Sequence, residues 1–242
     1  MSLRTAQTIT ADVREKLDEI PVNDALFVTG TDNTDLDTII EGHITEAVKF
    51  CIDHADLSLL EPNIIRERRG EPQDTMAIEN YVGGGKIKNA PEGAEVWVAN
   101  CDLPEDFYRF CWAKCDAWGR TVTDAVYIGD PDTAKLNNYF TTGSIERPVV
   151  YIEQETQGAY KAHLYACRED STIELAAMKL PKWETQKIDI GDRLYPSVIM
   201  YLAGLTLATV RDTHAEALFG QALVMMGVRV NQENTNNVAH NN

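Results

Sequence analysis

Positive charge is scarce in this sequence: 22 Lys and Arg stand against 38 Asp and Glu, a formal net charge of −16. That imbalance argues against general attraction to a nucleic-acid backbone or an anionic membrane, both of which are negative themselves. It permits the opposite role, an acidic wall past which DNA slides without adhering. Long apolar runs are missing too. The longest uncharged stretch, Leu194 to Val210, lies between Arg193 and Arg211 and contains Pro196, Ser197 and Gly204. It falls short of the ~20 apolar residues that cross a bilayer, so it predicts a buried helix and no membrane partner. The opening residues Met1 to Gln7 lack the apolar core of a signal peptide, and a cytosolic origin is expected.

Cysteine is sparse and odd in number. Cys51, Cys101, Cys111, Cys115 and Cys167 are scattered through apolar segments, which suits reduced, buried thiols better than a disulfide framework. Only Cys111 and Cys115 are closely spaced, whereas structural zinc sites pair two such couples. The histidines are dispersed, and none shares a nucleophile motif with Ser or Cys. Val82-Gly83-Gly84-Gly85-Lys86-Ile87 resembles a phosphate loop, but the expected upstream glycine falls at Asn80 and Ile87 occupies the place of the magnesium-holding Ser or Thr. A plain loop fits it better. Asp32, Asp35 and Asp37 lack the Gly and terminal Glu of a calcium loop. Arg66, Arg68 and Arg69, flanked by Glu61, Glu67 and Glu71, read as a mixed-charge loop. No catalytic residue, metal or cofactor is expected, and the chain reads as a non-enzyme.

What is present is a core, since 44% of residues are hydrophobic. Apolar residues at Ile9, Val13, Leu17 and Ile20 predict a helix over Thr10 to Ile20, stopped by Pro21. Thr34 and Asp37 resemble a capping box opening a second helix, whose stripe runs through Leu36, Ile40, Ile44, Ala47, Val48, Cys51, Ile52 and Ala55 to about Asp56. From Glu61 to Trp183 short runs between Gly, Pro, Asn and Asp predict strands. Glu95 to Ala99 is one. Arg109 to Trp118 and Thr121 to Ile128 are expected to form a hairpin across Trp118-Gly119-Arg120, with Phe110 and Trp112 on one face and Cys111, Ala113 and Cys115 on the other. Pro148 to Glu153 and Lys161 to Cys167 predict a second hairpin turning at Gln157-Gly158, and Ile173 to Leu180 a further strand.

Near the end, Val198, Ile199, Met200, Leu202, Leu205 and Leu207 point all round one helix, so it must be covered by its own domain or by neighbouring subunits. Thr213 and Glu216 have capping-box spacing for a last helix lined by Ala215, Leu218, Ala222 and Met225 and closed by Gly227. Residues 231–242 are Asn-rich and would not fold alone. The expected class is α+β, a helical bundle of the N- and C-terminal helices (1–60 and 188–230) with a central antiparallel β-rich insertion (61–187) and an extended tail.

Several phrases together resemble the head-to-tail connector proteins of tailed phages, with the nearest likeness to crAss-like, short-tailed phages of Bacteroidales. They are Leu103-Pro104-Glu105-Asp106-Phe107, Trp118-Gly119-Arg120-Thr121-Val122, Asn137-Asn138-Tyr139 with Gly143, Arg147-Pro148-Val149, and the pattern of Tyr201, Ala203, Ala208, Ala215 and Ala222. The resemblance implies a virion protein made in the bacterial cytoplasm. It would form a ring of roughly twelve copies below the portal protein, stack against further connector or tail rings, and pass genomic DNA without specific binding. It implies a subunit interface at Val198, Leu202, Leu205, Leu218 and Met225, and a tail docking on portal or a neighbour through Asn231, Asn234, Val238 and His240. Competing readings are a ring at another level of the stack, a ligand-binding protein using Gly83 to Lys86, and an acidic mimic of nucleic acid.

Overall fold

The computed structural model describes residues 2–18, 33–67, 76–82, 85–155, 158–184, 186–209 and 212–228. The chain is α+β and divides into two compact units, Met1–Glu61 with Pro181–Asn242, and Pro62–Leu180.

The first unit opens with strand β1 (Ser2–Thr5) and helix α1 (Ala6–Asp18), four residues earlier than periodicity predicts. Thr5 explains the early start, because its hydroxyl accepts the backbone N–H of Thr8 at 3.1 Å. Helix α2 spans Asn33–His54; its proposed cap at Thr34 and the stop at Pro21 lie outside the residues whose side chains are described. Ile9, Val13 and Leu17 of α1 and Ile40, Ile44, Ala47, Val48 and Cys51 of α2 are buried, as their spacing dictates.

The β-rich middle comprises β2 (Asn63–Glu67), β3 (Met76–Asn80), β4 (Trp97–Asp102), β5 (Phe107–Cys115), β6 (Val126–Tyr127), β7 (Val150–Gln154), β8 (Tyr160–Cys167) and β9 (Ile173–Lys179). One sheet has the order β2-β9-β5 and the other β3-β4-β8-β7-β6. All pairs are antiparallel except β6 with β7. The two sheets share a core in which Phe110, Ala113, Cys115, Ile173 and Leu175 of one meet Ala99, Cys101, Val150, Ile152, Ala162 and Leu164 of the other. Each large side chain so buried contributes roughly 2 kcal/mol.

The hairpin of β7 and β8 forms as its turn signal predicts, with Gly158 at φ +83°. The hairpin expected of Arg109 to Ile128 does not. Ala113 and Val122 exchange two backbone hydrogen bonds, but β5 pairs along its length with the distant β9, and β6 adds to the other sheet. The expected alternation also fails, because register shifts within β5 carry Phe110 onto the same core face as Ala113 and Cys115.

Residues 181–187 belong with the terminal unit. Strand β10 (Trp183–Glu184) pairs with β11 (Lys187–Ile190), and β11 pairs with β1. Helix α3 (Tyr195–Thr209) then packs against α1, α2 and α4 (Ala215–Met225). Most of its apolar circumference is thus covered within its own unit, with Leu205 left half-buried. Among the described residues no helix is long and apolar enough to cross a membrane.

Helix α4 departs from its expected start. Thr213 is exposed and supplies no cap; Asp212 accepts the backbone N–H of His214 at 2.8 Å. Its end is as expected. Gly227 takes φ +80°, its N–H reaches Val224 O at 3.0 Å, and Val228 N–H reaches Leu223 O at 3.0 Å. This is the paired closure that a left-handed glycine permits.

Candidate functional site

The five residues proposed for a subunit interface separate by burial. Val198 and Leu202 are 0% exposed and Leu218 4%, so they pack inside their own unit and cannot meet a neighbour. Three-to-four residue spacing on α3 and α4 puts such residues on the faces where the helices meet each other. Leu205 is half-buried and Met225 is exposed. The apolar residue that α4 buries at its end is Met226, one position later, while Val224 is 64% exposed beside Met225. Two adjacent apolar side chains are therefore presented at the end of α4, just before Gly227. Asn231, Asn234, Val238 and His240 lie outside the described residues.

A row of aromatic rings drawn from α2, α3 and α4 flanks this packing. Tyr201 stacks on Phe50 at 4.0 Å between centroids and meets Phe219 at 5.1 Å, and Phe50 stacks on His54 at 4.1 Å. Rings in this arrangement contribute roughly 1 kcal/mol each beyond the area they bury.

The β unit holds a polar network that sequence reading did not find. His163 of β8 sits opposite Asn100 of β4 and Tyr151 of β7, so three strands place one row of polar residues on the sheet face away from the shared core. Its Nδ1 donates to Asn100 Oδ1 at 2.7 Å, and its Nε2 lies 3.0 Å from Glu153 Oε2. The Asn100 amide nitrogen donates to Glu79 Oε2 at 3.0 Å, and the Tyr81 hydroxyl donates to Asn100 Oδ1 at 3.2 Å. Tyr151 stacks on the imidazole at 5.7 Å. Burial pulls the His163 imidazole below its ordinary value, and the Glu153 carboxylate opposes that pull. The hydrogen bonds of His163 run to a carboxylate, an amide and a phenol, and with the Asn100–Glu79 bond they tie β3, β4, β7 and β8 together. Tyr151, Glu153, Lys161 and His163 are alternate residues of the hairpin expected from sequence, and that alternation was the available signal.

Lys86, the cation of the glycine-rich loop, lies 4.7 Å from the Tyr81 ring centre. Its ammonium is thus engaged with an aromatic face of its own chain. Among the described residues no three His, Cys, Asp or Glu side chains converge as a metal site. Cys111 is buried, and burial pushes its thiol up to about 11. No protein-family model matches the chain, and no curated protein matches it.

Proposed function

We propose that this chain is a structural virion protein of a tailed phage, which assembles with copies of itself into a ring of the portal-tail connector, as an adaptor below the portal, and catalyses no reaction. The observation that carries the reading is the pair Val224 and Met225, apolar and exposed at 64% and 40% at the end of α4, where a self-assembling ring needs uncovered apolar surface. The resemblance of the phrases between Pro104 and Gly227 to those of connector proteins supports it, and so does the net charge of −16. An acidic ring gives passing DNA nothing to adhere to, and roughly a dozen copies multiply that repulsion. The chain works in the portal-tail region of the particle after synthesis in the bacterial cytoplasm, and residues 231–242 reach the portal or an adjacent subunit.

The test is electron microscopy and light scattering of the purified chain, alone and mixed with portal protein from the same particle. Rings, or a stable complex with portal, are the expected result. A monomer at every concentration that never engages portal overturns the reading.

A further inference from the structure

Eight large apolar side chains are exposed among the described residues, and four of them, Tyr127, Ile128, Phe140 and Ile145, belong to one short stretch of the β unit. Phe140, at 73%, is the most exposed of the eight. The stretch is irregular but tightly bonded. A 3-10 helix over Pro131–Asn137 follows Asp130, whose side chain accepts the Asp132 backbone N–H at 2.9 Å. Asn138 Oδ1 accepts the Phe140 N–H at 3.0 Å, and Asn138 O accepts those of Thr141 and Thr142 at 3.0 and 2.9 Å. The Thr141 hydroxyl donates to Lys135 O at 2.6 Å and the buried Thr142 hydroxyl to Leu136 O at 2.8 Å. Ser144 and Arg147 exchange two backbone hydrogen bonds around Ile145. Tyr139 N–H reaches Lys88 O at 3.0 Å, and the Tyr139 ring meets Phe140 edge-on at 5.4 Å. These bonds fix the backbone while the Phe140 ring stays in water, so little ordering cost remains for a partner to meet.

We propose that the end of α4 of one copy, Val224 and Met225, docks on the 127–145 segment of the next copy, with Phe140 as the anchor of the contact. This rests on the reading of the chain as a ring-forming protein. Two copies related by a two-fold axis bring one patch against itself, but in a closed ring of more than two copies every contact joins two different surfaces. Val224 and Met225 therefore supply one side, and the other side lies elsewhere on the chain. Area leads to the same place. Two aliphatic side chains exposing on the order of 100 Å² each, or less, fall far short of the roughly 800 Å² per partner that a stable contact covers. The 127–145 segment supplies aromatic surface, Phe140 and Tyr127, of the kind that centres such contacts and covers about 150–250 Å² per ring.

Leu3 and Trp183, the remaining exposed pair, make a poorer receptor. Leu3 lies opposite Asp189 in the ladder of β1 with β11, where an apolar cover would have to desolvate a carboxylate. The Trp183 indole N–H is committed to Thr45 Oγ1 at 3.1 Å, and both residues share the unit that carries α4. The 127–145 segment belongs to the other unit, so no residue serves both sides of the contact. It is also nearly balanced in charge. Asp130, Asp132 and Glu146 stand against Lys135 and Arg147, in a chain whose net charge is −16, so copies approach there against little repulsion.

The test mixes two full-length variants that each lack one side of the contact. Val224→Asp with Met225→Asp removes the α4 side, and Phe140→Asp removes the other. In sedimentation velocity Phe140→Asp alone should self-associate more weakly than the natural chain by roughly tenfold or more. Mixed in equal amounts, the two variants should form a one-to-one pair and nothing larger, because together they hold a single intact contact. The Phe140 ring is exposed, so the melting temperature of Phe140→Asp should stay within a few degrees of the natural value. Phe140→Ala, which adds no charge, should weaken association in the same direction and decides the matter if the aspartate disturbs the turn. The proposal is overturned, with the ring reading intact, if both Phe140 variants assemble as the natural chain does. It is overturned too if the mixture stays monomeric up to about 1 mM, where even a millimolar contact is half-formed. A natural chain that never associates overturns the ring reading and the proposal with it.

Discussion

A methyl group added at Gly204 would lie 2.7 Å from Phe219 Cε1 and 2.8 Å from Phe219 Cδ1. Gly204 on α3 is therefore the groove that receives the Phe219 ring of α4, and the same ring meets Tyr201. Gly220 on α4 has nothing within 4 Å of the corresponding position. The two helical glycines predict opposite responses to one substitution. Gly204→Ala must displace Phe219, at a cost of about 1–3 kcal/mol that exceeds the gain of about 1 kcal/mol in helix propensity. Gly220→Ala keeps that gain and should stabilise by about 0.5–1 kcal/mol. Urea unfolding of the two variants beside the natural chain reads both signs, and a stabilised Gly204→Ala would mean that the Phe219 ring is not held where it is described.

At the scale of elements, the start of α4 gives a pH-dependent prediction. Asp212 accepts the backbone N–H of His214 at 2.8 Å and its ring Nδ1–H at 2.7 Å, and these bonds hold its carboxyl below the ordinary value of 3.8. A carboxylate whose folded pKa is depressed stabilises the fold above its unfolded pKa, and that stabilisation is lost as the pH falls through the folded value. Asp212→Asn should therefore unfold at lower urea than the natural chain at neutral pH, and the two should converge in strong acid. Thr213→Ala should leave the midpoint where it is; a clear loss there would restore the capping-box reading. The contrast shows what sequence conveys about an element. Capping spacing at Thr213 and Glu216 located the helix to within two residues, but Asp212 is an equally competent acceptor one position earlier, and only chain direction chooses between them. Gly227 had no such competitor, and the end of α4 was legible. The β7–β8 hairpin was legible for a similar reason, since it is local and its turn carries a glycine with positive φ. The partner of β5 was not: β9 lies some sixty residues along the chain, and no pattern within a short window specifies such a pairing. The polar network of Glu79, Asn100, Glu153 and His163 was hidden by the same distance, because its members come from four strands.

For the whole molecule, two features act in opposition whenever copies approach. A net charge of −16 repels, and exposed Val224 and Met225 attract through apolar burial. Repulsion among exposed charges is screened over about 8 Å at physiological ionic strength, whereas burial of apolar surface is not weakened by salt. Self-association should therefore strengthen as salt is raised from about 20 to 500 mM, the reverse of what complementary ion pairs at an interface would give. The double substitution Val224→Asp with Met225→Asp should abolish it at every salt concentration. Both side chains are exposed in the single chain, so the melting temperature of the monomer should stay within a few degrees of the natural value. Sedimentation velocity across the salt series, with melting curves on the same samples, separates the causes. Association that persists in the double variant would move the contact away from the end of α4, leaving half-buried Leu205 as the surviving member of the original five.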